Sequence, residues 1–105
     1  MESPAVLNTI KSTVHSFFPD ARVLLFGSRV RGNSDRHSDF DLLIIIKNNY
    51  SAREKIGWRS KIHKALVYAV DAPFDVFLNS EKEVLSKKEL PGHIVRSALL
   101  EGIEL

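Results

Sequence analysis

Two aspartates spaced two residues apart open the most apolar stretch of this chain. Asp39 and Asp41 flank Phe40, and an unbroken run of leucine and isoleucine follows at Leu42 to Ile46. Residues two apart in a β-strand project to the same face, so we expect the two carboxylates side by side. Such close like charges raise a carboxyl pKa unless a cation lies between them. Mg²⁺ prefers these hard oxygen ligands, so the pair is a candidate metal site; solvated carboxylates at a strand entrance are the alternative.

A third carboxylate lies in another short apolar segment. Asp75 is the charged residue within Phe74 to Leu78, which we predict to be a strand. Beside the first pair it would complete a site for two metal ions, which activate an attacking oxygen and neutralise a leaving pyrophosphate. Asp75 could also accept a proton from the incoming nucleophile. A water-facing residue of an edge strand is the alternative interpretation.

A glycine and a serine follow the first predicted strand directly. Gly27 lets backbone approach a ligand, and a helix that begins at Ser28 would direct amides and a hydroxyl towards phosphate oxygens. An ordinary strand-to-helix turn is the alternative. Arg31 is within reach of a triphosphate, whereas we expect Arg29 and Arg36 to be solvated. His37, in the same polar stretch, is a weaker candidate for a substrate contact.

The elements that must position these residues alternate in type. Apolar periodicity, capping serines and proline or glycine breaks predict the order helix, strand, strand, helix, strand, helix, helix. Ser51 with Glu54 and Ser80 with Glu83 have the spacing of capping boxes. The last helix should follow Pro91 and carry core residues as far as Ile103. We therefore predict an α+β fold, a small mixed β-sheet of three or more strands with helices packed mainly on one face. The predicted strands are Arg22 to Phe26, Phe40 to Ile46 and Phe74 to Leu78.

These motifs together resemble the minimal nucleotidyltransferase family of the DNA polymerase beta superfamily. The family signature is Gly-Ser, ten residues, then Asp-x-Asp, and here it is formed by Gly27-Ser28, the ten residues 29–38, and Asp39 with Asp41. The resemblance extends over most of the chain, including the Ala98-x-x-Glu101-Gly102 segment. It implies one nucleotidyltransferase domain over residues 1–105.

The resemblance also implies roles for the candidate residues. Gly27 and Ser28, helped by Arg31, would bind the triphosphate of ATP or another NTP. The catalytic carboxylates Asp39, Asp41 and Asp75 would bind Mg²⁺, two ions by expectation. The family transfers NMP to an acceptor and releases pyrophosphate. Its members are often paired with a small helical HEPN-type protein in a toxin–antitoxin system, so we expect such a partner, with AMP from ATP attached to it.

Composition limits the other functions. The chain has no cysteine, which excludes disulfides and thiolate metal sites and favours a cytoplasmic location. Its net charge of +2 gives no reason to expect direct DNA binding, and its apolar runs are too short to span a membrane. Two functional alternatives stay open. One is a non-catalytic antitoxin module that only binds its partner, and the other is a small-molecule (antibiotic) nucleotidyltransferase.

Overall fold

The computed structural model describes residues 2–32 and 38–105, which form five helices and four strands. Their order confirms the predicted alternation and adds a short helix after the first strand and a short strand at the end. The elements are α1 (Pro4–Phe17), β1 (Arg22–Phe26), α2 (Ser28–Arg31), β2 (Phe40–Ile46), α3 (Ala52–Val70), β3 (Phe74–Ser80), α4 (Glu81–Lys87), α5 (Ile94–Glu101) and β4 (Ile103–Glu104).

Serine side chains cap the first turns of three helices. The Ser3 hydroxyl accepts a backbone N–H from the first turn of α1. Both predicted capping boxes are present, with Ser51 and Glu54 at the start of α3 and Ser80 and Glu83 at the start of α4. In each box the serine hydroxyl and the glutamate carboxylate accept otherwise unpaired amide protons, so a helix begins there rather than a residue earlier or later.

A four-stranded mixed sheet, in the order β3-β2-β1-β4, confirms the predicted α+β class. β2 and β3 are parallel because α3 carries the chain back between them, and β1 is antiparallel to both of its neighbours. The prediction that the last helix includes Ile103 is wrong, because the helix ends at Glu101 and Ile103 pairs with Leu25. β3 also runs two residues beyond its predicted end, since Asn79 and Ser80 still pair with β2.

Both faces of the sheet are covered, unequally. The two long helices, α1 and α3, pack on one face against alternate residues of the central strands, such as Leu42 and Ile44. The two short helices, α4 and α5, cover the other face through Val84, Val95 and Ala98. β2 is therefore buried on both sides, which explains why it appears in sequence as an unbroken apolar run rather than an alternating one. Asp41 lies at the end of the face covered by the short helices.

No helix within residues 2–32 and 38–105 combines the length and the apolar character needed to cross a bilayer. The longest of them, α3, has 19 residues, and its buried side chains Ile62 and Leu66 lie along one stripe. Its remaining surface is largely charged or polar, as expected for a helix that packs on a sheet.

Candidate active site

The turn from β1 into α2 depends on Gly27. Its backbone has φ +81°, a conformation that side chains disfavour, and its carbonyl accepts the N–H groups of Val30 and Arg31 at 3.1 Å each. A Cβ atom at this position would collide with the Asp41 carboxylate. Glycine is thus required both for the turn and for the close approach of the turn to the acidic residues.

The sheet brings two of the predicted carboxylates into register. Asp41 on β2 is the direct partner of Asp75 on β3 and, on its other side, of Phe26 on β1. Directly paired residues on adjacent strands project to the same face, and neighbouring strands lie about 4.8 Å apart. Asp39 precedes β2 and is exposed, as is Asp75, whereas Asp41 is partly buried. The Asp41–Asp75 pair is therefore a consequence of strand pairing that the spacing in the sequence does not reveal.

The electrostatic environment of Asp41 is strongly acidic. Burial raises the pKa of its carboxyl group above the ordinary value, and the charges of Asp75 and Asp39 raise it further. Glu101 acts in the same direction, and the Arg31 guanidinium opposes it. Repulsion among carboxylates is the condition that a bound cation relieves, so this environment is suited to a positive ligand.

The donor set fits a hard divalent cation. Within the described part of the chain, no group of three His, Cys, Asp or Glu side chains converges as a ready-made metal site. Two in-register carboxylates with a third close by nevertheless match what Mg²⁺ uses, since it is commonly held by one or two carboxylates together with substrate phosphates and water. The phosphate groups of a nucleotide would have to supply the remaining oxygen ligands.

Arg29 corrects the expectation of a solvated basic residue. Its side chain is 7% exposed. The guanidinium donates from Nε and Nη2 to the Ser38 carbonyl at 3.0 and 2.7 Å, and its Nη1 pairs with Glu2 at 2.8 Å. It also lies 3.9 Å from the centroid of the Phe40 ring. Arg29 thus joins α2 to the segment that carries Asp39, a role that a polar sequence context does not disclose.

Arg31 forms an ion pair with Glu101, which the sequence analysis does not predict as a site residue. The Arg31 Nη1 donates to Glu101 Oε1 at 3.1 Å, and the Gly27 N–H donates to the same oxygen at 3.3 Å. Glu101 is the last residue of α5, about 70 positions along the chain from its two partners. The sequence offered one weak signal for it, the Glu-Gly pair within the C-terminal segment that resembles the family.

The remaining predicted residues lie in or beside the same turn. Ser28 begins α2 and is partly exposed, and its hydroxyl has no hydrogen-bond partner in residues 2–32 and 38–105. Arg36 and His37 lie outside the described residues. Of the six predicted site residues, the structure places Gly27, Ser28 and Arg31 at one sheet end with the three aspartates.

Comparison with known proteins decides what kind of domain this is. The sequence profile of the family described as "Nucleotidyltransferase domain" matches residues 7–103. The chain belongs to this nucleotidyltransferase domain family. The match includes every element that contributes to the candidate site, from α1 to the beginning of β4.

One curated relative of this nucleotidyltransferase domain comes from Methanocaldococcus jannaschii and is named "Putative protein adenylyltransferase MJ0141". The two are 37% identical over 57 residues, which is 52% of this chain and 58% of the relative. The match thus spans little more than half of the curated relative's length.

Solved structures with the same fold come from toxin–antitoxin complexes. One, determined with AMP-PNP, has a TM-score of 0.66 and 18% identity, over 92% of this chain and 69% of that one. Two mutants of the toxin–antitoxin MntA-HpeT, one with two aspartates changed to glutamate and one with a tyrosine changed to alanine, give TM-scores of 0.64 and 0.62. The first is 16% identical over 92% of this chain and 69% of its own chain. The second is 20% identical over 94% of this chain and 70% of its own chain. At such identities the comparison concerns the nucleotidyltransferase fold.

Proposed function

We propose that this nucleotidyltransferase domain transfers AMP from ATP to a hydroxyl group of a protein acceptor. The observation that carries the proposal is the in-register pair Asp41 and Asp75 beside the Gly27 turn. This arrangement puts carboxylates for a cation next to backbone and side-chain donors for phosphates. A purely structural sheet end would have no need of three carboxylates that repel one another.

The phosphate groups would bind at the turn between β1 and α2. Gly27 allows close approach of the backbone, the Ser28 hydroxyl is a further donor, and the Arg31 guanidinium supplies positive charge at the exposed side. Donors fixed by a sheet end hold a triphosphate in one orientation, which removes most of the entropy cost of aligning it for attack.

Asp39, Asp41 and Asp75 would hold the Mg²⁺ ions. When bound, Mg²⁺ neutralises phosphate charge and lowers the pKa of an attacking oxygen. The chain's contribution is to fix the carboxylates before the nucleotide arrives. Asp41 is fixed by strand pairing on both sides, and Asp75 by pairing with β2.

The reaction is a displacement at the α-phosphorus of ATP. The acceptor oxygen forms a bond to that phosphorus, the bond to the β-phosphate bridging oxygen breaks, and pyrophosphate leaves with the electron pair. Asp75 is exposed, so solvent and an acceptor can reach it, and we assign it the role of accepting the hydroxyl proton. Asp75 lies on β3, two strands from the β1 end that leads into the Gly27 turn. With this role for Asp75, the acceptor hydroxyl would approach from the β3 side of the site.

The acceptor we propose is a small helical HEPN-type protein, which makes this chain the antitoxin of a toxin–antitoxin pair. Two findings support this choice. The curated relative is named as a protein adenylyltransferase, and the structures that share the fold come from toxin–antitoxin complexes, one of them with AMP-PNP.

A labelling experiment tests the reaction. The purified chain, Mg²⁺ and the protein product of the neighbouring gene are incubated with ATP labelled at the α-phosphate or at the γ-phosphate. We expect label on the acceptor from α-labelled ATP and none from γ-labelled ATP, because AMP keeps only the α-phosphate. Absence of label in the first reaction would overturn the proposal, and label in the second would indicate a kinase.

A double substitution separates chemistry from simple binding. Asp39→Asn with Asp41→Asn should lower AMP transfer by more than about 100-fold, because two cation ligands lose their charge. Asp20→Asn is the matched control, an exposed aspartate before the opposite end of β1, and should leave transfer unchanged. If the double variant still protects cells from the partner as well as the wild type does, the chain acts by binding alone.

A further inference from the structure

Glu101 occupies the donors that the proposed function assigns to phosphate. One of its carboxylate oxygens accepts both the Gly27 N–H and a proton from the Arg31 guanidinium, at 3.3 and 3.1 Å. A phosphate oxygen would need the same two donors. This inference therefore rests on the proposed function and extends it to a residue outside the Gly-Ser and Asp-x-Asp motif.

The position of Glu101 is fixed by the chain on both sides of it. α5 is anchored on the sheet by its buried residues Val95 and Ala98. Beyond Glu101, the Gly102 N–H donates to the Ala98 carbonyl at 2.8 Å, and Ile103 pairs with β1. A Cβ atom at Gly102 would collide with that same carbonyl, so the junction is held tightly. The Glu101 backbone cannot withdraw from the site, but its side chain, one third exposed, can rotate away.

Charge makes a supporting role for Glu101 in nucleotide binding unfavourable. A triphosphate entering this site already meets Asp39, Asp41 and Asp75, and Glu101 adds a further negative charge near Asp41. A carboxylate and a phosphate cannot both occupy one N–H and one guanidinium proton, and they repel each other at contact distance.

We propose that Glu101 is a built-in competitor of the nucleotide: its carboxylate occupies the phosphate donors of Gly27 and Arg31 in the nucleotide-free chain and must rotate away when the triphosphate binds. Glu101 then sets the affinity of the site for NTP.

Two substitutions at Glu101 test the proposal by the sign of their effect. Glu101→Gln removes the charge, and Glu101→Asp keeps the charge but shortens the side chain by one methylene so that it no longer reaches both donors. The probes are Mg²⁺ with AMP-PNP and Mg²⁺ with inorganic tripolyphosphate, and the dissociation constants are measured by calorimetry. We expect both variants to bind both probes about two- to fivefold more tightly than the wild type, the size of effect expected when one partly exposed ion pair is removed.

The matched control is Glu104→Gln, which removes the charge of an exposed glutamate on β4 that pairs with Arg22 on β1. Its dissociation constants should equal those of the wild type. Thermal unfolding of each variant verifies that the fold is intact before binding is measured.

Each contrary result has a distinct meaning. Weaker binding by Glu101→Gln would make Glu101 a positioning residue for Arg31 and overturn the competitor proposal. Tighter binding by Glu101→Gln but not by Glu101→Asp would mean that Glu101 weakens nucleotide binding only through long-range charge repulsion. That result would also overturn the competitor proposal. A wild-type chain that binds neither AMP-PNP nor tripolyphosphate would overturn the proposed function together with this inference, whereas tight wild-type binding that both variants leave unchanged would overturn the inference alone.

Discussion

At the scale of single residues, two features require glycine at position 27: the backbone conformation and the nearby Asp41 carboxylate. It has a positive φ, and the Asp41 carboxylate fills the space that a side chain would need. Gly92 has a similar φ of +74°, but no described atom lies within 4 Å of a Cβ built there. Substitutions at Gly27 and Gly92 therefore separate two energetic costs. One is the strain of a side chain at positive φ, and the other is the collision with Asp41.

We predict that Gly27→Ala lowers the free energy of unfolding by about 2–4 kcal/mol, because strain at positive φ adds to overpacking against Asp41. Gly92→Ala should cost only about 1 kcal/mol, the backbone term alone. Urea unfolding of both variants measures the difference. Equal losses would mean that Asp41 moves aside without cost, and Gly27 would then be needed only for the turn.

At the scale of elements, Arg29 holds α2 against the segment that leads into β2. Its guanidinium donates twice to the Ser38 carbonyl, and its plane lies over the Phe40 ring. The ends of the Gly-Ser turn and of the Asp-x-Asp strand are thereby joined through one side chain. A lysine would keep the charge but not the planar, bidentate geometry.

Arg29→Lys should lower the free energy of unfolding by about 1–3 kcal/mol, since the partly buried Ser38 carbonyl and the Glu2 carboxylate lose charge-assisted hydrogen bonds from a buried guanidinium. Arg22→Lys is the control, because Arg22 also donates from Nε and Nη2 to one partner, Glu104, but is about half exposed. That change should cost less than about 1 kcal/mol. Equal effects in chemical denaturation would show that the burial of Arg29 adds nothing.

At the scale of the whole molecule, an ion pair joins the two helical layers around the edge strand β3. Lys55 on α3 donates to Glu83 on α4 at 2.6 Å, so the pair spans from one face of the sheet to the other. Partial burial by itself would raise the pKa of the Glu83 carboxyl. The hydrogen bonds from Lys55 and the Ser80 N–H, with the charge of Lys87, outweigh burial and hold that pKa below its ordinary value of 4.5.

This lowered pKa predicts a pH dependence of stability. A carboxyl whose pKa is depressed by folding stabilises the protein fully above its unfolded pKa, and that contribution is lost as the pH falls through the folded pKa. The loss due to Glu83 should therefore lie below about pH 4.5. Glu83→Gln should show a shallower decline in unfolding free energy between pH 6 and pH 3 than the wild type, while the glutamine side chain still accepts the Ser80 N–H of the capping box.

Glu89→Gln is the matched control for this comparison, since Glu89 is exposed in the connection after α4. Its pH profile should follow that of the wild type. If Glu83→Gln and the wild type decline in parallel, the ion pair between the layers does not contribute to acid sensitivity.

Local patterns in the sequence were sufficient for most of the elements and for the motif. Serine and glutamate three residues apart predicted both capping boxes, because a cap is formed within one helical turn. The period of two in Phe40, Leu42, Ile44 and Ile46 predicted the face that packs under the long helices. The spacing of Gly27, Ser28 and the Asp-x-Asp pair identified the family, which the profile match confirms.

Contacts between distant segments were decided only by the tertiary structure. β4 is two residues long and carries no periodicity of its own, so its pairing with β1 could not be predicted. The burial of Arg29, the register of Asp41 with Asp75 and the contact of Glu101 with Gly27 each join residues that local spacing does not relate. The sequence by itself determined the family motif and the fold class, because motif spacing and apolar periodicity are local. Only the folded sheet decided which charges surround them, because electrostatic environment depends on proximity in space.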